Sequence, residues 1–284
     1  MNPIEIKRKI MRFQDGNLAA KDDPIVTEYP LTVKLNGKEW VTMVCSPEYI
    51  DDLTIGFLAS EGVIKKYEDI EEIWFQEKEG FIHVKTKEVN PFYEKLQNKR
   101  YITSCCGASR QGFVFATDAL GTKKVDRLNV KLAIEDSFRL MSEMESRAKV
   151  FQETGGVHNA ALCDKDGILL MRMDIGRHNA LDKIYGYCLK NNIKIHDKII
   201  AFSGRISSEI VVKVAKIGCE IILSKSAPTQ LALELAEQLA ITTIGFIRED
   251  SLNIYTRPER IKVAKGLHEE IVSKEELFNK KKSI

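Results

Sequence analysis

Between residues 157 and 256 the chain alternates short apolar runs with helix-length amphipathic ones, and nothing else in the sequence limits the fold as much. Residues 157–163, 167–173, 198–203, 220–224, 243–247 and 251–256 read as strands. Residues 180–191, 208–217 and 230–239 read as helices between them. Alternation of this kind predicts a mostly parallel sheet with helices on its faces. Ligands of such sheets bind beyond the carboxyl ends of the strands. Just upstream, Leu132, Ile134, Phe138, Met141, Met144 and Ala148 recur at helical spacing and predict one helix over 132–152.

The first half has a different texture. Residues 1–24 are polar and charged and are expected to form a loose arm. Residues 29–35 alternate, Asn36 and Gly37 form a two-residue turn signal, and 38–45 return as the second strand of a hairpin. Ser46 and Pro47 suggest a capped helix start, Ile50, Leu53, Thr54, Phe57 and Leu58 share one helical face, and Gly62 ends the helix. Residues 70–75 and 81–85 read as a second strand pair around the turn at 76–80. The texture changes near residue 130. We therefore expect a smaller hairpin-rich α+β domain over 1–130, and an α/β domain with a lysine-rich tail over 131–284. A length of 284 residues exceeds one comfortable core. A net charge of +2 is too balanced to argue for a nucleic-acid or membrane-surface partner. The first residues lack the apolar core of a secretory signal, and no apolar run approaches the ~20 residues of a membrane span. The expected location is the cytosol, where thiols stay reduced.

Six cysteines separate into two kinds. Cys45, Cys163, Cys188 and Cys219 lie in apolar stretches and read as buried structural thiols. Cys105 and Cys106 are adjacent, precede Gly107, and have Ser104, Ala108, Ser109 and Arg110 around them. Such a segment suits a thiolate, the reactive form of cysteine. No metal-ligand spacing is present. The His-x-Glu and Pro-Cys-x-x-Cys signature of zinc deaminases is absent too, so no protein-ligated metal is expected.

Four polar, glycine-bearing segments fall at the ends of expected strands. Thr154, Gly155, Gly156 and Val157 lead to His158, a possible acid/base group or hydrogen-bonding anchor. Asp174, Ile175 and Gly176 lead into Arg177, His178 and Asn179 at a helix start, a position that favours anions; there Asn179 could serve as a cap, and Asp182 and Lys183 are ambiguous between a part in the site and an ordinary solvated helix face. Ser203, Gly204 and Arg205 precede Ser207 and Ser208 in another anion-friendly turn, but the spacing is not that of a P-loop. Phe246, Ile247, Arg248, Glu249, Asp250 and Ser251 read, from the residues alone, as a hairpin turn. Together these features describe a cysteine enzyme that handles a phosphate-bearing ligand.

The motif set resembles the FdhD family of sulfur carriers that support formate dehydrogenase. The residues that carry the resemblance are Ser104 to Gly107, Thr154 to His158, Asp174 to Lys183, Ser203 to Glu209, and Gly245 to Arg248 with Tyr255 and Thr256. The resemblance implies a C-terminal three-layer α/β/α domain like that of cytidine deaminases, without the zinc, and a homodimer. It implies that a cysteine desulfurase loads sulfur as a persulfide, and that the sulfur passes to a molybdenum bis(molybdopterin guanine dinucleotide) cofactor bound as substrate before that cofactor enters formate dehydrogenase. Aligned on its glycine, the family loop places the sulfur-carrying thiol at Cys106 and puts Ser109 where a second cysteine usually stands. Either Cys105 substitutes for that second thiol or Cys106 acts alone, and strain in a disulfide between neighbours favours the latter. The resemblance also makes Phe246 to Ser251 a cofactor-binding segment. Chemistry adds Arg177, His178 and Arg205 to it.

Overall fold

The computed structural model describes residues 3–87, 100–102 and 122–262. Cys105, Cys106 and Ser109 lie outside the described residues, as do the expected lead-in over 88–99 and the lysine-rich tail.

The expected loose arm is instead a hairpin. Strands Glu5–Gln14 (β1) and Asn17–Val26 (β2) pair antiparallel from Glu5 opposite Val26 to Gln14 opposite Asn17. Asp15 and Gly16 both take positive φ, 53° and 79°, the geometry of a tight two-residue hairpin turn. The ribbon is solvated on both faces, so it lacks the alternation of apolar and polar residues that would reveal it.

Tyr29–Leu35 (β3) and Lys38–Cys45 (β4) form the expected hairpin, with Asn36 and Gly37 at φ 49° and 80°. The helix after it spans Ile50–Ser60 (α1) and begins later than expected. Its N-cap is Tyr49, left-handed at φ 54°, with no side-chain cap; Ser46 is engaged elsewhere. Glu61 is the C-cap, and Gly62 follows at φ 77°. Ile70–Gln76 (β5), Phe81–Thr86 (β6) and Arg100–Ile102 (β7) complete a five-stranded sheet of order β5-β6-β3-β4-β7. Leu31, Val33, Met43, Ile82, Leu53 and Leu58 close the core between this sheet and α1. Strand β7 runs parallel to β4, with Val41 opposite Arg100 and Met43 opposite Ile102.

Leu132–Ala133 (β8) leads into Ile134–Arg147 (α2), and Lys149–Thr154 (α3) follows after a break at Ala148, whose ψ of 53° is not helical. The single helix expected over 132–152 is thus two. Then come His158–Cys163 (β9), Ile168–Asp174 (β10), Arg177–Lys190 (α4), Ile199–Phe202 (β11), Ser208–Ile217 (α5), Ile221–Ser224 (β12), Gln230–Leu239 (α6), Thr242–Gly245 (β13) and Asn253–Thr256 (β14), with Ile261–Lys262 (β15) beside β8. The six-stranded sheet has the order β10-β9-β11-β12-β13-β14. Only β11, β12 and β13 are mutually parallel, and β9, β10 and β14 join antiparallel, so the expectation of a mostly parallel sheet does not hold. The reason is local: β9–β10 and β13–β14 are joined by short connections with no crossover helix. Ala160, Leu162, Ile200, Phe202 and Ile222 face the helix layer of α4, α5 and α6. Ala161, Ile199, Ala201, Ile221 and Ile244 face Leu140, Met141 and Met144 of α2. The fold is mixed α/β, with helices on both faces of this sheet. No helix among the described residues is long and apolar enough to cross a membrane.

The two sheets meet where α1 crosses α4. A Cβ on Gly56 would stand 1.8 Å from the Asp182 carbonyl oxygen, and a Cβ on Gly186 would stand 1.8 Å from that of Asp52. Backbone meets backbone here, and only glycine allows it. Around the crossing, Arg172 pairs with Asp52 at 2.9 Å, and Asp182 accepts from Ser60 at 2.6 Å and pairs with Lys213. Asp182 and Lys183 are 1% and 0% exposed, which rules out the solvated-face alternative for them.

Candidate functional site at the carboxyl edge of the large sheet

Strands β10, β11, β12 and β13 all end at one edge of the six-stranded sheet, and the antiparallel β9 begins there with His158. The four loops singled out in the sequence therefore converge on this edge.

The turn that leaves β10 is organised by Asp174, whose side chain is fully buried. Its Oδ1 accepts from the Gly176 N–H at 2.8 Å and from Asn179 Nδ2 at 2.9 Å. Its Oδ2 accepts from the Ser46 N–H at 3.0 Å and pairs with Lys183 Nζ at 2.7 Å. Lys183 also donates to the carbonyls of Met173 and Ser46 at 3.1 and 3.3 Å. The Ile175 N–H donates to Ser46 Oγ at 3.1 Å, and Asn179 Nδ2 reaches the Val44 carbonyl at 2.9 Å. Asn179 is thus not the cap of α4, a position taken by Gly176; it ties α4 to the end of β4. A buried charge is tolerated when it is paired and its remaining atoms are hydrogen-bonded, which is the case here.

The turn carries Arg177 and His178 outward, and they differ in what meets them. Arg177 makes no hydrogen bond or ion pair with the described residues, and its Nε is buried without an acceptor. It lies against the β11–α5 turn: a Cβ on Gly204 would be 3.5 Å from Arg177 Cβ and 2.9 Å from the Phe202 ring. His178 Nε2 lies 3.0 Å from Glu209 Oε2 of α5 without a well-aligned hydrogen bond. His158 is held below its ordinary value of 6.5, first by burial and then by the charge of Arg177; His178 adds to this and Asp174 opposes it. His158, Arg177 and His178 therefore sense one another. Arg205 is exposed on the adjoining turn. Ser207 occupies the N-cap position of α5, but its Oγ makes no capping bond and is buried without a partner.

The neighbouring loops are locked to this turn by two serines of the β12–α6 loop, a segment that reads in the sequence as a strand-to-helix loop with small polar residues. Ser224 Oγ donates to the Gly204 carbonyl at 2.9 Å, and Ser226 Oγ donates to the Ser203 carbonyl at 3.1 Å. The Phe246 N–H reaches the Ser226 carbonyl, and the Ile247 N–H reaches that of Ser224. Phe246 is left-handed at φ 53° and 42% exposed, an unusual state for an aromatic residue. Ile247 is buried. Arg248 Nη1 donates to the carbonyls of Lys225 and Ile247, while Glu249, Asp250 and Ser251 are exposed. The six expected binding residues thus divide into an exposed ring, an anchored arginine and an open polar turn.

Among the described cysteines none is poised to react. Burial pushes the Cys163 and Cys188 thiols up to about 12, and Cys45 and Cys219 further. Ile102, the last residue of β7, is the partner of Met43, and the next residue of β4, Val44, is the one Asn179 binds. Cys106 itself lies outside the described residues.

A bis-dinucleotide substrate would need cations and unclaimed donors for its phosphates and a surface for its rings. The unpaired Arg177, the free Ser207 hydroxyl, the N-termini of α4 and α5, and the exposed Phe246 ring fit these requirements.

The FdhD/NarQ family model matches residues 26–262. A sulfur carrier protein FdhD of Shouchella clausii is 56% identical over 261 residues, covering 92% of this chain and 98% of that one. The protein of the same name from Bacillus subtilis is 51% identical over 255 residues, covering 90% and 97%. A crystal structure from Desulfotalea psychrophila, described as a formate dehydrogenase accessory protein, superposes with a TM-score of 0.75 at 25% identity, covering 92% of this chain and 100% of that one. With a family match of this extent and relatives this similar over nearly their whole length, the chain belongs to the FdhD/NarQ family.

Proposed function

We infer that this protein is a cytoplasmic sulfur carrier that serves formate dehydrogenase, with Cys106 as the carrying thiol. The Cys106 thiolate attacks the outer sulfur of a persulfide on a cysteine desulfurase. The S–S bond of the donor breaks, the desulfurase cysteine leaves as a thiolate, and Cys106 holds the sulfur as its own persulfide. The substrate that would receive it is the molybdenum bis(molybdopterin guanine dinucleotide) cofactor, which enters formate dehydrogenase sulfurated; delivery as sulfide breaks the S–S bond of the Cys106 persulfide with two electrons from a thiol reductant and returns Cys106 as a thiolate. Arg177 and Arg205 bind its phosphates, Phe246 lies against a ring, and Arg248 to Ser251 line the approach. His158, neutral at neutral pH because its proton affinity is lowered, accepts or donates a hydrogen bond without adding charge. The protein acts as a homodimer in this reading.

One observation supports it: β7 lies beside β4, whose Val44 is bound by Asn179 of the turn that carries Arg177, and Arg177 has no partner among the described residues. The test is intact-mass analysis after incubation with a desulfurase and cysteine. Wild type should gain sulfur, and Cys106→Ala should gain none and fail to restore formate dehydrogenase activity. Restoration by the variant would replace this reading with that of a cofactor-binding chaperone.

A further inference from the structure

The β1–β2 ribbon and the outer face of the small sheet are two open surfaces that the candidate site does not use. No residue of either ribbon strand is buried. Only the base is fixed to the body. There the Thr27 N–H donates to the Ile4 carbonyl at 2.8 Å, and Val26 Cγ1 lies 2.5 Å from where a Cβ on Gly156 would stand. A two-stranded ribbon by itself is marginally stable in water, so one this long calls for a surface to lie on. The register puts Met11 opposite Ala20 and Phe13 opposite Leu18, and residues two apart share a face. These four side chains therefore form one apolar face at the tip, with Met11, Phe13 and Leu18 60%, 70% and 64% exposed. Lys7 and Lys9 continue that face toward the base, Arg8 and Arg12 lie on the reverse, and Glu5 is the only acidic residue of β1. A bilayer does not suit this tip, because Asp15 stands at its turn and burying a charge is costly.

The outer face of the small sheet has the complementary character. β5 is an edge strand of that sheet, and its Ile73 and Phe75 pack inward. On the opposite face Trp74 is 49% exposed and stacks on His83, with ring centroids 4.6 Å apart and planes 4° from parallel. Phe81 meets His83 edge-on, and Lys34 Nζ sits 3.7 Å from the centre of the Phe81 ring. An exposed aromatic row with a polar rim is the mark of an interaction surface. Glu71, Glu72, Glu77 and Glu79 are exposed around it, against Lys78 and Lys85, and Lys85 pairs with Glu71 at 3.4 Å. A basic strand with an apolar tip thus matches an acidic rim with an aromatic centre, and one chain carries both. Charge complementarity therefore selects a second copy of this chain as the occupant. One face of such a ribbon measures roughly 33 Å by 10 Å. Two exchanged ribbons bury on the order of 1,300 Å² counting both partners, within the ~1,200–2,000 Å² of a stable interface.

We propose that the ribbon of each protomer lies on the outer face of the small sheet of a second copy, its tip against Trp74 and Lys9 toward Glu72. The contact is reciprocal, so a two-fold pair makes it twice. The inference rests on the homodimer of the reading above and names its surface.

The test is sedimentation equilibrium of the full-length protein, with fluorescence of Trp74 read in a Trp40→Phe background that leaves it the sole tryptophan. Wild type should be a dimer whose Trp74 emission moves to longer wavelength as dilution separates the copies. Phe13→Asp should weaken the dimer about a thousandfold, because a buried aromatic contact is lost twice. Lys9→Glu and Glu72→Lys should each weaken it about tenfold, the scale of two lost rim pairs. An equimolar mixture of those two variants should recover wild-type affinity, since each ribbon then meets a sheet of opposite charge. All these positions are exposed, so unfolding midpoints should not change. An undiminished dimer in Phe13→Asp puts the interface elsewhere, a mixture that fails to recover removes the sheet as the receiving face, and a wild-type monomer at tens of micromolar removes the dimer itself; each overturns the proposal. So does a Phe13→Asp variant that stays dimeric yet gains no sulfur on Cys106, which makes the desulfurase the occupant of the ribbon. Sulfur loading of wild type is followed separately by intact mass, so a failure of the carrier reading is seen apart from a failure of this one.

Discussion

The ten residues from Asp174 to Lys183 contain two opposite uses of charge. Asp174, Asn179, Asp182 and Lys183 point inward, and each has partners at hydrogen-bonding distance. Arg177 and His178 stand between them on the same turn, and Arg177 has no partner among the described residues. The inward set fastens two sheets together; of the outward pair, His178 faces Glu209 and Arg177 keeps a guanidinium without a partner among the described residues. A charged group that is satisfied internally contributes to the fold, and one left unsatisfied is available to a ligand. Here the first kind positions the second.

The contrast is broken most severely from the inside. Lys183→Met leaves the Asp174 carboxylate buried without its counter-ion and should destabilise the protein by about 3–5 kcal/mol, read from urea unfolding. Gly186→Ala should cost about 3 kcal/mol by the same measurement, because its methyl group would overlap the Asp52 carbonyl and push α1 from α4. Arg177→Ala should behave in the opposite way. Its unfolding midpoint should stay within about 0.5 kcal/mol of wild type, while its affinity for guanosine diphosphate falls by roughly 10- to 100-fold, the loss of a charge-assisted contact. If Arg177→Ala unfolds the protein, or Lys183→Met spares it, the division between the two sets is wrong.

The finest test is His158. Its proton affinity is lowered in the folded protein, so the folded state binds fewer protons than the unfolded one around pH 6. The stability it contributes is fully present above 6.5 and is lost as pH falls through the folded value. In Arg177→Ala the His158 titration, followed by NMR, should move upward only part of the way to 6.5, because burial is the larger cause.

Much of the fold could be read from residue patterns. The strands and helices from β9 to β14 follow from apolar runs of the right length, and the β3–β4 hairpin from Asn36 and Gly37. The misses share a cause. Residues 5–26 form a ribbon solvated on both faces, so pairing leaves no trace in hydrophobic period. Ser46 and Pro47 carry a helix-start signal, but Ser46 is taken by Asp174 and Ile175, and the helix waits for Ile50. Asp182 and Lys183 look like solvent-facing residues until α1 is laid across α4. Gly56 and Gly186, glycines inside helices, were the available signal for that crossing. Asn159 carried none, being an ordinary polar residue within an apolar strand, and Ser224 and Ser226 were legible only as part of a small-polar strand-to-helix loop.

The sequence by itself determined most of the elements, the separation of the adjacent cysteine pair from four buried thiols, and the loops that could meet a phosphate, because these depend on local spacing and residue chemistry. Only the tertiary structure decided which polar groups of those loops are satisfied. The hydrogen bond that Asp174 accepts from the Ser46 N–H joins residues 128 positions apart, and no local pattern encodes it. The same long-range pairing brings the end of β4, with β7 beside it, to the turn that carries Arg177, and leaves Arg177 and Asn159 with atoms that have no partner among the described residues.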